Sequence, residues 1–324
     1  MKALVQTAPQ TLELMDWPQP QPGSGQVRIR TLACGICATD LKMLAGWQRT
    51  GFPAIPGHEW SGIVDATGPG VDPGLEGRLC VAENVLLDGG EVGFEHPGGY
   101  GEFFLTEARN LYNLPESIPF TTAILAEPLA VCLRAIRRLE LSQVRHALVF
   151  GDGPMGLLML LLLRQRGVEE VCMVGGVPER LALAAELGAA QTLLYQDAGK
   201  NLVKGIRTVI RPSEFPCVIE ASGSETAISA ALELTGPLGQ ILVIGDYDDT
   251  RAGFEWNFLL HRELALLGSN AGAGAWPEAV QILVDGVFPL ERLATHQFPV
   301  AEHARAFELV RQRQEGVIKA AFLW

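Results

Sequence analysis

The sequence predicts an α/β protein in which a doubly wound parallel sheet is inserted into a β-rich domain. Three observations carry this. The first hundred residues are rich in Gly and Pro and hold short alternating runs such as Gln26-Val27-Arg28-Ile29-Arg30, the punctuation of short strands and turns. The pattern changes near Pro128, and over 147–245 strands and helices alternate, which implies parallel strands with crossover helices. After Gly268 comes a mixed tail that returns to the first domain. In order, 147–150 reads as a buried strand, 154–165 as a helix and 170–174 as a second strand. Residues 178–187 read as a helix with Leu181, Ala184, Ala185 and Leu187 on or near one face, and 218–220 and 241–244 as later buried strands. A Gly-rich turn, a helix over 276–284, a short strand near His296, a helix over 302–311 and a last strand over 317–322 complete the chain. The expected domains are 1–128 with 271–324, and 129–270; no internal repeat or low-complexity tract interrupts them.

The 324 residues suffice for two domains at about 150 residues each. A net charge of −12, from 37 acidic and 25 basic residues, repels phosphate backbones and anionic lipid, and so argues against nucleic acid and membrane as partners. The apolar run 155–163 is far short of the roughly 20 residues a bilayer requires, and it reads as a fully buried helix. The first residues run straight into a strand pattern, with no signal segment. The six cysteines, at 34, 37, 80, 132, 172 and 217, are therefore expected in metal or core roles in a cytoplasmic protein rather than in a disulfide framework.

Gly151-Asp152-Gly153-Pro154-Met155-Gly156 follows a buried strand and opens an apolar helix, the context in which G-x-G-x-x-G marks a dinucleotide site. The first glycine makes the tight turn, the second admits the pyrophosphate to the backbone, and the third lets helix and strand pack closely; the helix N-terminus supplies N–H groups to phosphate. Cofactor choice is read about 20 residues on, where an acid would bond the ribose of NAD. Here Val174-Gly175-Gly176-Val177-Pro178-Glu179-Arg180 offers no acid at 175 or 176. Arg180 is within reach of a 2′-phosphate, or is simply a solvent-facing helix residue, so the balance leans to NADP with NAD open. Ser222 and Gly245, just past the later strands, join the candidate cofactor residues.

Cys37 and His58 are the ligand types that zinc prefers. Cys34 and Cys37 form a C-x-x-C, but a redox reading requires a thioredoxin-like context that is absent, and Cys34 is taken as a buried strand residue. Gly35-Ile36-Cys37-Ala38-Thr39-Asp40, Pro56-Gly57-His58-Glu59, Glu127-Pro128-Leu129-Ala130-Val131 and the glycine motif occur in that order. Together they resemble the medium-chain zinc-dependent alcohol dehydrogenases, especially the polyol, sorbitol and threonine dehydrogenase branch, and the resemblance extends over essentially the whole chain. It implies a GroES-like catalytic domain with an inserted Rossmann domain, one catalytic zinc, NAD or NADP as cofactor, an alcohol or carbonyl substrate, and a homodimer or homotetramer. It further implies Cys37 and His58 as zinc ligands, Glu59 as a ligand or close neighbour, and Glu127 in the remaining ligand position, direct or through water. Thr39 would take the substrate proton, and Asp40 would orient His58.

Two departures stand out. Relatives with a structural zinc carry four clustered cysteines shortly after the Gly-His-Glu motif, whereas the stretch from Cys80 to Tyr100 has one, so that zinc is expected to be absent and its lobe trimmed. Lys42 stands where several relatives have a relay histidine. Trp47, Trp60, Phe94 and the neighbourhood of Asn270 are expected around the substrate pocket. The competing readings are a zinc-free quinone or enone reductase of the same superfamily and a non-catalytic nucleotide-binding protein; retention of Cys37, Thr39, His58 and Glu127 argues against both.

Overall fold

The structure is a computed structural model that describes every residue except Gln48, Thr50, Asp249 and Phe254. The chain divides into two compact units, Met1–Glu127 with Trp276–Trp324, and Pro128–Ala275.

In the first unit the strand Gln26–Gly35 is the hub. It pairs antiparallel with Trp60–Thr67, with Phe103–Glu107 and with Ala320–Leu323. Its alternation has a direct consequence, since successive side chains point to opposite faces. Val27 and Ile29 are fully buried, while Arg28 turns outward to Asp65, with Nε 2.7 Å from Oδ2. Ala320–Leu323 joins the tail to the sheet. Its strand is shorter than the expected 317–322, because the preceding residues bond to a loop: Ile318 N–H donates to Thr295 Oγ1 and Lys319 N–H to the Leu293 carbonyl. Tyr100, Phe104, Ile29 and Phe322 are among the largest fully buried side chains of this core.

In the second unit the parallel strands lie in the spatial order Gln191–Leu194, Glu170–Gly175, His146–Phe150, Phe215–Glu220, Thr235–Val243 and Ala265–Gly268 among the described residues. In chain order that is 3-2-1-4-5-6, the doubly wound arrangement, and the direction of winding reverses between His146–Phe150 and Phe215–Glu220. The helix Pro154–Gln165 buries every residue from Gly156 to Leu163, as an all-round apolar sequence requires. On the helix Pro178–Glu186 the inner face is Arg180, Leu181 and Ala184, while Ala185 faces solvent. Residues 271–275 belong to this unit because they are tied to the helix Ala126–Ile136. Arg137 donates to the Gly274 carbonyl at 2.8 Å, and Gly272 packs against Ala130 so closely that no side chain fits there. Among the described residues no helix is long and apolar enough to cross a membrane.

Candidate functional site

The end of Gln26–Gly35 and the start of the helix Ala38–Ala45 place Cys37 as the helix N-cap. Asp40 Oδ2 accepts the Cys37 N–H at 2.8 Å, so the carboxylate fixes the turn carrying the thiol. Gly57 then makes a turn with φ +99° that delivers His58 and Glu59; a Cβ there would collide with Tyr100 and with Cys34 Sγ. The result is a cluster in which one ligand atom each from Cys37, His58 and Glu59 lie within 4.8 Å of one another. His58 and Glu59 are buried and Cys37 is half-buried. Thr39 Oγ1 lies 3.6 Å from Cys37 Sγ. Glu127 is not drawn into that cluster, although its charge is felt at His58.

A second ring of groups holds these in place. His58 Nδ1 faces Asp40 Oδ1 at 3.6 Å, and the Tyr100 hydroxyl donates to Asp40 Oδ2 at 3.1 Å. Lys319 Nζ donates to Glu59 Oε1 at 2.7 Å and to the Ile36 carbonyl at 3.3 Å. Glu59 Oε2 is 2.5 Å from the same nitrogen but is not aligned to accept from it. Phe94 lies over the His58 ring, with centroids 4.8 Å apart, and Arg49 lies over Phe94 at 4.5 Å. Arg49 in turn binds Glu95 and Glu91 at 2.6 and 2.8 Å. The short stretch after Cys80 is thus pinned by an ion cluster and one aromatic ring, with no thiolate ligands.

Burial works against charging the His58 imidazole, but the carboxylate of Asp40, with Cys37 and Glu127, raises its pKa well above the ordinary value. Desolvation raises Asp40, and it also pushes Glu127 up to about 7, with neighbouring Glu59 adding to the rise against the pull of His58. Burial is the largest single influence on Lys319 and lowers its pKa, but the charges of Glu59, Cys37 and Glu127 and the hydrogen bond to Glu59 together raise it above the ordinary value, so the ammonium stays charged.

The second unit carries a different site at the carboxyl ends of its strands. Gly151 has φ +107° and packs against the Ala221 carbonyl, and Gly156 packs against the Gly151 carbonyl. Gly153 caps the helix Pro154–Gln165 with open space beside it, so a ligand phosphate can approach its N-terminal N–H groups, those of Met155 and Gly156 among them. Asp152, buried, accepts the N–H of Gly176 and of Val177 at 2.8 and 2.7 Å. Glu220, fully buried, accepts from Ser222 N–H at 2.9 Å and Gly223 N–H at 3.2 Å, and its carbonyl takes the Gly245 N–H at 2.9 Å.

Some expectations require correction. Arg180 is not solvent-facing: it is 7% exposed, with Nη1 3.8 Å from Asp152 Oδ1. Trp60 is a core residue, 3% exposed, with Nε1 bonded to Asn84 and its ring edge-on to Phe104. Trp47 lies edge-on to Phe94, and Asn270 is exposed in the second unit. Sequence reasoning gave no site role to Tyr100, Lys319, Asp152 or Glu220. A lone lysine between apolar neighbours just before the last strand was the available signal for Lys319, and the acid inside the glycine motif was the signal for Asp152.

The family model for zinc-binding dehydrogenases matches residues 154–285, and that for the alcohol dehydrogenase GroES-like domain matches 23–116. D-altritol 5-dehydrogenase of Agrobacterium fabrum is 32% identical over 307 residues, 87% of each chain. Among solved structures, an alcohol dehydrogenase (rspB) from Escherichia coli CFT073 complexed with NADH superposes with a TM-score of 0.91 at 23% identity, covering 100% of this chain and 99% of that one. A zinc-binding dehydrogenase from Sinorhizobium meliloti 1021 bound to NADP gives 0.90 at 22%, with the same coverage. The chain belongs to the zinc-type medium-chain alcohol dehydrogenase family. It is an oxidoreductase of the alcohol/carbonyl class.

Proposed function

We propose that the chain interconverts a secondary alcohol or polyol and its carbonyl with a nicotinamide dinucleotide, using one zinc ion held by Cys37, His58 and a carboxylate. The observation that carries this is the cluster of one thiol, one imidazole and one carboxylate within 4.8 Å. Those donors suit zinc, and three protein ligands leave a fourth position open. His58 Nδ1 and Glu59 Oε2 are buried without a hydrogen-bond partner. With Nδ1 turned to Asp40, Nε2 is the ring nitrogen left for a metal. Glu59 would be the geometric third ligand, with Glu127 able to take its place.

When bound, zinc supplies Lewis acidity that favours ionisation of an alcohol. The protein does the rest. Asp40 orients the imidazole, and Lys319 holds the Glu59 carboxylate. The half-buried Thr39 hydroxyl accepts the proton leaving the alcohol and passes it on. Gly151, Gly153, Pro154, Met155, Gly156, Gly175, Gly176, Ser222 and Gly245 would frame the dinucleotide. The polyol assignment draws on the altritol dehydrogenase relative. Six free cysteines suit the cytoplasm. The edge strand Ala265–Gly268, which leaves Leu266 40% exposed, suits a homo-oligomer.

Elemental analysis of protein purified without added metal tests the reading, with about one zinc per chain expected. Chelation should abolish dinucleotide-linked oxidation of polyols, and Cys37→Ala should lower turnover roughly a thousandfold, since a Lewis acid contributes several kcal/mol. Protein that neither retains nor takes up metal sinks the zinc mechanism.

A further inference from the structure

We propose that Asp152 sets the dinucleotide preference of this chain and makes the site one for NAD rather than NADP, an inference that rests on the nucleotide-binding reading above. In such sheets the adenosine ribose is read by an acid about 20 residues past the glycine turn, at the end of the second strand. That stretch here is Gly175-Gly176, which offers no side chain. The acid comes instead from inside the glycine turn. Asp152 reaches across so that Oδ2 accepts the N–H of Gly176 at 2.8 Å and of Val177 at 2.7 Å. Its carboxylate lies against Gly175, filling the place where a Cβ at that position would stand. Arg180 Nη1 faces Oδ1 at 3.8 Å, and both residues are buried, at 4% and 7% exposure.

A 2′-phosphate requires N–H donors and a cation. This corner contains both kinds: two backbone N–H groups at the start of the helix Pro178–Glu186, and the guanidinium in its first turn. Both N–H groups donate to Asp152, and the guanidinium lies within ion-pair distance of the same carboxylate. A phosphate entering here would displace a buried carboxylate from its partners or meet it as a like charge, and either is costly. A ribose hydroxyl does neither, because it is neutral and can donate to a carboxylate. Arg180, which reads in the sequence as a phosphate-binding residue, is thereby turned into the partner of an acid.

The test is equilibrium binding of NAD⁺ and of NADP⁺ to the purified full-length chain by titration calorimetry, with no alcohol present. NAD⁺ should bind at least about tenfold more tightly, the effect of one charge-assisted hydrogen bond that a phosphate must displace. D152N keeps an oxygen for the two amides and removes the charge, so it should narrow the ratio, chiefly by tightening NADP⁺. Wild-type protein that binds NADP⁺ as tightly as NAD⁺, or more tightly, overturns the proposal whether or not the variant folds. So does a D152N protein that melts like wild type and keeps the wild-type ratio. Binding of neither nucleotide overturns the proposal together with the reading on which it rests, whereas equal binding of both overturns the proposal alone.

Discussion

In the dinucleotide turn the working groups come from 151–156 and 174–180, the ends of two neighbouring strands, with Glu220 to Gly245 beside them. In the ligand cluster they come from 37–40, 58–59, 100, 127 and 319, five stretches brought together only by the sheet. The first site is a local conformation, in which a few φ values and close glycine contacts decide its shape. The second is a product of the whole unit, in which the groups that support the ligands also hold the core. Damage should therefore spread differently from the two.

The largest expected contrast is Lys319→Met. It strands the fully buried Glu59 carboxylate, and breaking a buried pair costs about 3–5 kcal/mol. Denaturant unfolding should show that loss. The double variant Glu59→Gln with Lys319→Met should recover most of it, since no buried charge is then left alone. A single variant as stable as wild type would break the comparison. Next comes Gly156→Ala. Its Cβ would press on the Gly151 carbonyl, an overpacking worth about 1–3 kcal/mol. Dinucleotide affinity should fall by roughly ten- to a hundredfold, while zinc content stays at the wild-type level. Loss of zinc in that variant would mean the two sites are not independent.

The smallest effect concerns the stretch after Cys80. Hydrogen bonding from Arg49 holds the Glu95 carboxyl below its ordinary value of 4.5. A group whose folded pKa is depressed stabilises the fold above its unfolded value, and the benefit is lost as pH falls through the lower folded value. Stability measured from pH 6 downward should therefore fall slightly more steeply in wild type than in Glu95→Gln below about pH 4.5. The difference should stay under about 1 kcal/mol, because the pair is partly exposed and screened. Identical acid limbs would remove the ion cluster as a support of Phe94.

The same contrast explains what was legible beforehand. The strand–helix alternation and the helix Pro154–Gln165 were readable because periodicity and the Pro at the helix start are local signals. The Cys37 and His58 motifs were readable as residue types with a resemblance behind them. Arg180 was misread because a guanidinium on a helix start looks the same in sequence whether it faces water or an acid from another turn. Trp60 was misread because burial of a tryptophan depends on Asn84 and Phe104, which lie 24 and 44 positions away in the chain.

By itself the sequence determined the α/β class, the glycine turn and its helix, the residue types available to a metal and the lack of a second cysteine cluster. Each of these is set by neighbours a few residues apart. Only the tertiary structure decided that Lys319 would neutralise Glu59, that Tyr100 would brace Asp40, that Phe94 would cover His58, and that Asp152 would bind the N–H groups of Gly176 and Val177. Those pairings join residues as far apart as 260 positions. No local pattern encodes such a contact, because it exists only once the strands have paired and water has been excluded from between them.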